Sequence, residues 1–279
     1  MAAVVHFIPL VVSLAKPPDY SVLNRRVANF GSDEALVQCL VLDSMVPRQR
    51  IQLPFGPPVS HVLKEVRDSG GVLAVIGMNR RTGAFLRCGV EGRIESMSPY
   101  RASHGFYSSH STTPQRGFTA LDTVLVGGRR FEVLESADTK WPPDRPVFPA
   151  RVRWLPEQSA SAAAIIRSEQ LEALAEEWTA LVRKGNRERE PLQITRVLCD
   201  LGPMPAAEDA DDRALWVAAL INPIPALGVS PECRPAVLEA EDPFERVEVV
   251  HRTIVDSIAQ LKKRPPGPFE VEPPPTHRG

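Results

Sequence analysis

The chain has 279 residues and a formal net charge of −1, with a pI near 6.6; a duplex nucleic-acid binder usually carries a clustered basic excess, which the total argues against. Its 43% hydrophobic content can fill a core and excludes wholesale disorder. The 28 prolines are roughly twice the usual ~5% share, which predicts many stops and edges and disfavours a long helical bundle.

Ala2 to Leu14 is mostly apolar but is interrupted by His6, Pro9 and Ser13, and its basic residues follow only at Lys16, Arg25 and Arg26. A secretory signal carries its charge before the apolar run, and a membrane span needs about 20 apolar residues, so the segment reads as neither. Residues 1–34 are expected to be an N-terminal extension on a cytoplasmic protein. The alternative is import into an organelle through that segment.

From residue 35 to 158 the pattern is strands divided by turns. Leu36–Leu42 suits a buried strand, and Ile51, Leu53 and Phe55 alternate with Gln52 and Pro54 up to Gly56-Pro57-Pro58. A short helix follows, with Val59, Val62, Leu63 and Val66 on one face and Gly70-Gly71 at its end. Val72–Met78 and Ala84–Met97 resume the strand pattern, and Ser98–Thr119 reads as a long polar loop. Leu121–Val126 and Arg129–Leu134 are strand-like runs, and Gly127-Gly128 between them predicts a tight hairpin. Val147–Leu155 alternates again. Many short strands, one helix and no βαβ rhythm imply a twisted sheet or partial barrel.

Beyond residue 159 the period becomes helical, which sets a helical domain over 159–263. Leu171, Leu174, Trp178 and Leu181 form an amphipathic stripe, closed by Lys184-Gly185-Asn186. Pro191–Leu201 fits a second helix, and the acidic loop Glu208–Asp212 leads into a third, Arg213–Leu220. Asp242-Pro243-Phe244-Glu245 is an N-cap, a first-turn proline and a glutamate at N3, opening a helix with Val247, Ile254, Ile258 and Leu261 inward. Residues 264–279 are rich in Pro, Glu and Gly, cannot bury a core, and are expected to form a disordered tail. The fold class is thus α+β, a β-rich sheet or partial barrel followed by an all-helical part.

The four cysteines, Cys39, Cys88, Cys199 and Cys233, make no C-x-x-C pair, so zinc-ribbon and RING sites lack ligands and the thiols are expected as small core residues. No nucleotide-binding loop of the form G-x-x-x-x-G-K-[ST] occurs. Ser103 or Ser108 beside His104 or His110 lacks both a nucleophile elbow and an orienting acid, and the two histidines lack a third metal ligand. No cofactor and no catalytic residue is assigned.

Several ordered stretches resemble the N-terminal domain of Lon proteases, which also occurs alone and in RING-linked and cereblon-type proteins. Leu40-Val41-Leu42-Asp43 through Val46–Leu53 is similar to that family's opening strand, proline turn and second strand. Leu121–Leu134 is similar to its glycine–basic–Arg-Phe hairpin, and Leu201–Pro205 and Trp216–Leu220 to its helical half. The chain departs from it after the second strand, where Pro57-Pro58-Val59-Ser60 stands in place of Glu-Pro-Arg-Tyr. The resemblance spans roughly residues 35–263. It implies a substrate-recognition module without its ATPase and protease parts, a non-enzymatic binder of unfolded or specific client proteins. An adaptor for a protease or ubiquitin ligase is the alternative, and a hydrolase using the His-rich loop the weaker one. The partner is expected to be a protein client or partner subunit, with no nucleic acid and no membrane. The oligomeric state is left open.

Candidate contact residues are Tyr100, Phe106 and Tyr107, rigid apolar anchors in the polar loop. Arg129 and Arg130 could form a basic edge for acidic partners; the simpler reading places Phe131 in the β core with both arginines on the solvent face. Trp178 and Trp216 are read as helical core, and His61 and His251 as polar-face residues. The apolar contact surface is expected on a concave β face beside the neighbouring helix.

Overall fold

The computed structural model describes residues 33–57, 59–78, 84–100, 120–134 and 146–263. The N-terminal apolar run, the stretch with Phe106, Tyr107, His104 and His110, and the Pro-rich tail lie outside these residues. Six strands, β1 (Glu34–Val41), β2 (Arg50–Phe55), β3 (Leu73–Met78), β4 (Phe85–Pro99), β5 (Leu121–Val133) and β6 (Val147–Trp154), form one sheet in the order β2-β5-β4-β3-β1-β6. Helix α1 (Val59–Asp68) lies between β2 and β3 in the chain. β5 also pairs with β6 through Phe131↔Trp154 and Val133↔Val152, so β6, β1, β3, β4 and β5 close into a ring. The expected partial barrel is therefore a closed one, with β2 added along the first half of β5. The β1–β3 pair is parallel, because β2 and α1 supply the crossover that a parallel return requires.

Gly127 and Gly128 do not turn the chain. They lie inside β5, which runs unbroken from Leu121 to Val133. A Cβ at Gly127 would meet the Val46 carbonyl oxygen at 2.2 Å. The 43–49 loop crosses the strand there, with Arg48 N–H donating to the Gly127 oxygen and Gly127 N–H to the Gln49 oxygen, both at 2.9 Å. The predicted hairpin is thus corrected to a strand with a bulge, since Val90 pairs with Arg130 but Gly92 with Gly127. Gly127 serves close backbone approach, which in sequence looks the same as turn formation.

Alternation along the strands divides the β core in two. Val37, Cys39, Ala74, Ile76, Phe131, Phe148, Ala150 and Val152 form one cluster. A second joins Leu40, Ile51, Leu73, Val75 and Leu125 to Leu63 of α1 and continues without a break into the helices. β3 is buried over both clusters, which is why Leu73–Ile76 reads as an unbroken apolar run. Leu36, inside the apolar run of β1, is instead 73% exposed, because alternation outweighs hydrophobicity at that position.

The helical part comprises α2 (Ala162–Lys184), α3 (Gln193–Leu201), α4 (Ala210–Ile221), α5 (Arg234–Glu239) and α6 (Pro243–Lys263). Ser161 caps α2 by accepting from the Ala164 N–H at 3.2 Å. Its buried stripe is Ala164, Leu171, Ala175, Trp178 and Val182, with the expected Leu174 and Leu181 half-buried beside it. The start of α6 follows the capping expectation, with Glu245 N–H donating to Asp242 at 2.8 Å and Glu241 N–H to the Glu245 carboxylate at 2.7 Å. α4 begins at Ala210, inside the stretch read as an acidic loop, since Asp211 and Asp212 in its first turn face the helix-dipole positive end and arginines of other elements. The short α5 had no periodic signal of its own.

α2 and α6 run parallel: Arg167 pairs with Glu248 at 2.5 Å, Gln170 with His251 at 3.0 Å, and Glu177 with Lys262 at 2.6 Å. α4 packs against both and is buried from Arg213 to Ile221. Among the described residues no helix is long and apolar enough to cross a membrane.

Candidate functional site

The junction between ring and helices is a polar layer. Asp211 of α4 accepts from Arg130 of β5 at 3.2 Å and is also paired with Arg246 of α6. Arg246 is fully buried, and it further donates to the Ala240 oxygen at 2.6 Å and to Gln158. Arg130 is therefore not on the solvent face: it is 8% exposed, and burial pushes its guanidinium below the ordinary value while Asp211 pulls it back up. Arg129 does stay on the surface, 4.5 Å over the Trp154 ring and 3.2 Å from Glu91. Phe131 is fully buried, as the alternation requires.

A cavity of about 270 Å³ opens beside this layer, lined in part by Arg87, Cys88, Arg130, Glu132 and Glu239. Several of its charges have partners within the chain: the Arg87 guanidinium lies 3.5 Å from Glu132, and the Arg87 backbone N–H donates to Glu239 at 3.2 Å. The Cys88 thiol at its edge is raised by burial, which the adjacent Arg87 opposes. Cys39 and Cys233 are buried and pushed up to about 12; Cys199 is exposed, so one of the four thiols departs from the core expectation. The three buried thiols, Cys39, Cys88 and Cys233, are poor nucleophiles, since the thiolate is the reactive form.

The second concavity is an apolar groove of about 380 Å³ between α2, α3 and α4. Ala175, Leu198, Met204, Trp216 and Leu220 are its apolar residues, and Glu172, Glu176, Thr179 and Arg183 supply polar groups around it. Arg213 organises one end from below. It is 5% exposed, and its guanidinium lies 3.1 Å from the Met204 sulfur and 2.6 Å from Glu172. Trp216 is held by a bond from its indole N–H to the Gly202 oxygen at 3.2 Å. The opposite end is defined by Arg183, which donates to Thr195 of α3 at 3.2 Å.

This apolar groove belongs to the helices and is separate from the concave β face on which a contact surface was expected. Leu198, Met204 and Leu220 come from separate segments, so no local motif announces them; Trp216, read as core, is 4% exposed and also faces the groove. Tyr100 is 37% exposed just beyond β4, where its N–H donates to the Ala120 oxygen at 2.8 Å. Phe106 and Tyr107 lie outside the described residues. Of the nominated residues that the structure describes, Arg129 and Arg130 flank the ring–helix junction, and none of Tyr100, Arg129 and Arg130 lines the groove.

No protein-family model matches the sequence, and the comparison with curated proteins finds no significant match. Solved structures do match. A Lon N-terminal domain protein from Xanthomonas campestris is 17% identical, with a TM-score of 0.47, covering 78% of this chain and 98% of its own. The N-terminal domain of the Mycobacterium avium complex Lon protease is 14% identical, with a TM-score of 0.50, covering 81% of this chain and 98% of its own. With the strand ring and helical half described above, the likeness to the mycobacterial domain gives this chain the fold of a Lon N-terminal domain.

Proposed function

We propose that this chain is a non-catalytic protein-binding module that holds apolar segments of unfolded or specific client proteins in the groove between α2, α3 and α4. The observation that carries the reading is the combination of an apolar floor, Leu198, Met204, Trp216 and Leu220, with a charged rim of Glu172, Glu176 and Arg183. An apolar client side chain entering such a groove loses water contact at about 25 cal/mol per Å² before the entropic cost of association. The rim keeps the groove from acting as a general aggregation surface, because a mismatched chain leaves charges desolvated. Tyr100, Phe106 and Tyr107 are proposed as a second set of anchors and Arg129 as an accessory cation; Arg130 is committed to Asp211.

The test is binding of a permanently unfolded probe, reduced and carboxymethylated α-lactalbumin, followed by fluorescence anisotropy. Leu198→Glu puts a carboxylate into the apolar floor and should weaken binding about tenfold or more, a penalty of at least ~1.4 kcal/mol. The variant's far-UV circular dichroism should match that of the parent. Unchanged affinity in a folded variant would remove the groove from the proposal. Tyr100→Ser, tested in parallel, reports separately on the aromatic anchors.

A further inference from the structure

The groove lies within reach of a segment of the chain itself. α6 ends at Lys263, and Lys262 is tied to Glu177 at 2.6 Å. Because α2 and α6 are parallel, that exit point is level with the part of α2 that supplies Glu176, Thr179, Ala180 and Arg183 to the groove. The exit and the groove are on opposite flanks of α2. The surface between them presents Ala173, an exposed small residue, and meets the groove at the exposed Ala180 on its edge, so a strand can pass closely.

Residues 264–279 hold two large apolar side chains, Phe269 and Val271, set between Pro265-Pro266-Gly267-Pro268 and Pro273-Pro274-Pro275. Six residue steps separate Lys263 from Phe269. At ~3.1 Å per residue for a proline-rich segment they span about 19 Å, more than the ~10–12 Å diameter of the helix to be crossed. Fixed proline φ angles lower the entropy lost on ordering such a segment. Of the charged residues lining the groove, Glu172 is paired with Arg213, so Arg183 complements Glu270 and Glu272 at its own end while Glu176 disfavours their approach along the rim.

We infer that the segment Gly267–Glu272 crosses α2 and docks in this groove, with Phe269 and Val271 on the floor formed by Leu198, Met204, Trp216 and Leu220. The tail then covers the apolar surface of its own chain and must be displaced by any client. Displacement by clients rests on the protein-binding reading; the docking does not.

The experiment uses the full chain with Cys199→Ser, which removes the exposed thiol, and pairs Val271→Cys with either Thr179→Cys in the groove or Gln260→Cys on the exposed side of α6. Gln260 is the nearer position along the chain, so undirected collisions favour it through the shorter loop. Docking predicts the reverse: an intramolecular disulfide at 179–271 forming about tenfold faster than at 260–271, with the excess abolished by Phe269→Ser. Ala180→Cys, at an exposed position, serves as a second groove probe should Thr179→Cys disturb folding. Equal or slower cross-linking at both groove positions overturns the inference. A disulfide formed mainly between two chains also overturns it and assigns the groove to a second copy. Neither result depends on lactalbumin binding, so failure of the client reading and failure of tail docking are read separately.

Discussion

Gly127 has no room for a side chain, with the Val46 carbonyl oxygen 2.2 Å from where a Cβ would lie. Gly127→Ala must push the 43–49 loop off β5, breaking the bonds that Arg48 and Gln49 make with its backbone. A loss of about 1–3 kcal/mol is expected in urea unfolding, the range typical of overpacking. Gly56, with nothing within 4 Å of its Cβ position, is the control that should tolerate alanine. His251 carries a different residue-level prediction. Burial, and next the nearby Arg167, lower its imidazole below the ordinary value, with Glu248 opposing. The fold therefore favours the neutral ring. Its contribution is fully present above the unfolded value near ~6.5 and is lost as pH falls through the lower folded value. His251→Gln should accordingly flatten the fall of the urea midpoint between about pH 7 and pH 5. The glycine pair was visible in the sequence but read as a turn; that Gly127 meets a crossing loop was not legible, because the loop arrives from about eighty residues earlier in the chain.

Helices and strands meet at carboxylates that are neighbours in sequence but unequal in setting. Asp211 bridges Arg130 and the fully buried Arg246, whereas Asp212 pairs with Arg48 where both side chains are nearly half exposed. Removing Asp211 strands two buried cations, so Asp211→Ala should cost about 3–5 kcal/mol. Asp212→Ala should cost less than ~1 kcal/mol, because solvent screens an exposed pair. Chemical denaturation of the two variants side by side measures the difference, and equal losses would refute the bridging role. The α6 start could be read from Asp242-Pro243-Phe244-Glu245 because a cap is a local device. α4 was placed too late because its first turn is acidic and polar, a composition shared by loops and by helix N-termini.

The largest apolar cluster passes from Leu40 and Leu125 of the strands through Leu63 to Trp178, Trp216 and Ile254 of the helices without interruption. Gln49 reinforces that continuity. It is 3% exposed and donates to the Asn222 backbone oxygen at 3.0 Å, while Asn222 itself accepts from Cys233 N–H at 3.1 Å. Ring and helices should therefore unfold as one cooperative unit. Far-UV circular dichroism and tryptophan fluorescence are expected to give a single, coincident transition in urea. Two separated transitions would show that the division near residue 158 is energetic as well as architectural.

Periodicity along the chain carried the α+β class, the change from strands to helices near residue 160 and the inward faces of α2 and α6. Each of these is governed by side chains within a few residues of one another, at spacings set by backbone geometry. Closure of the ring through β5–β6, the burial of Arg130 and the groove of Leu198, Met204, Trp216 and Leu220 depend on contacts between distant segments. Composition is blind to such contacts: an arginine after a glycine pair reads as surface until an aspartate from another element comes within 3.2 Å of it.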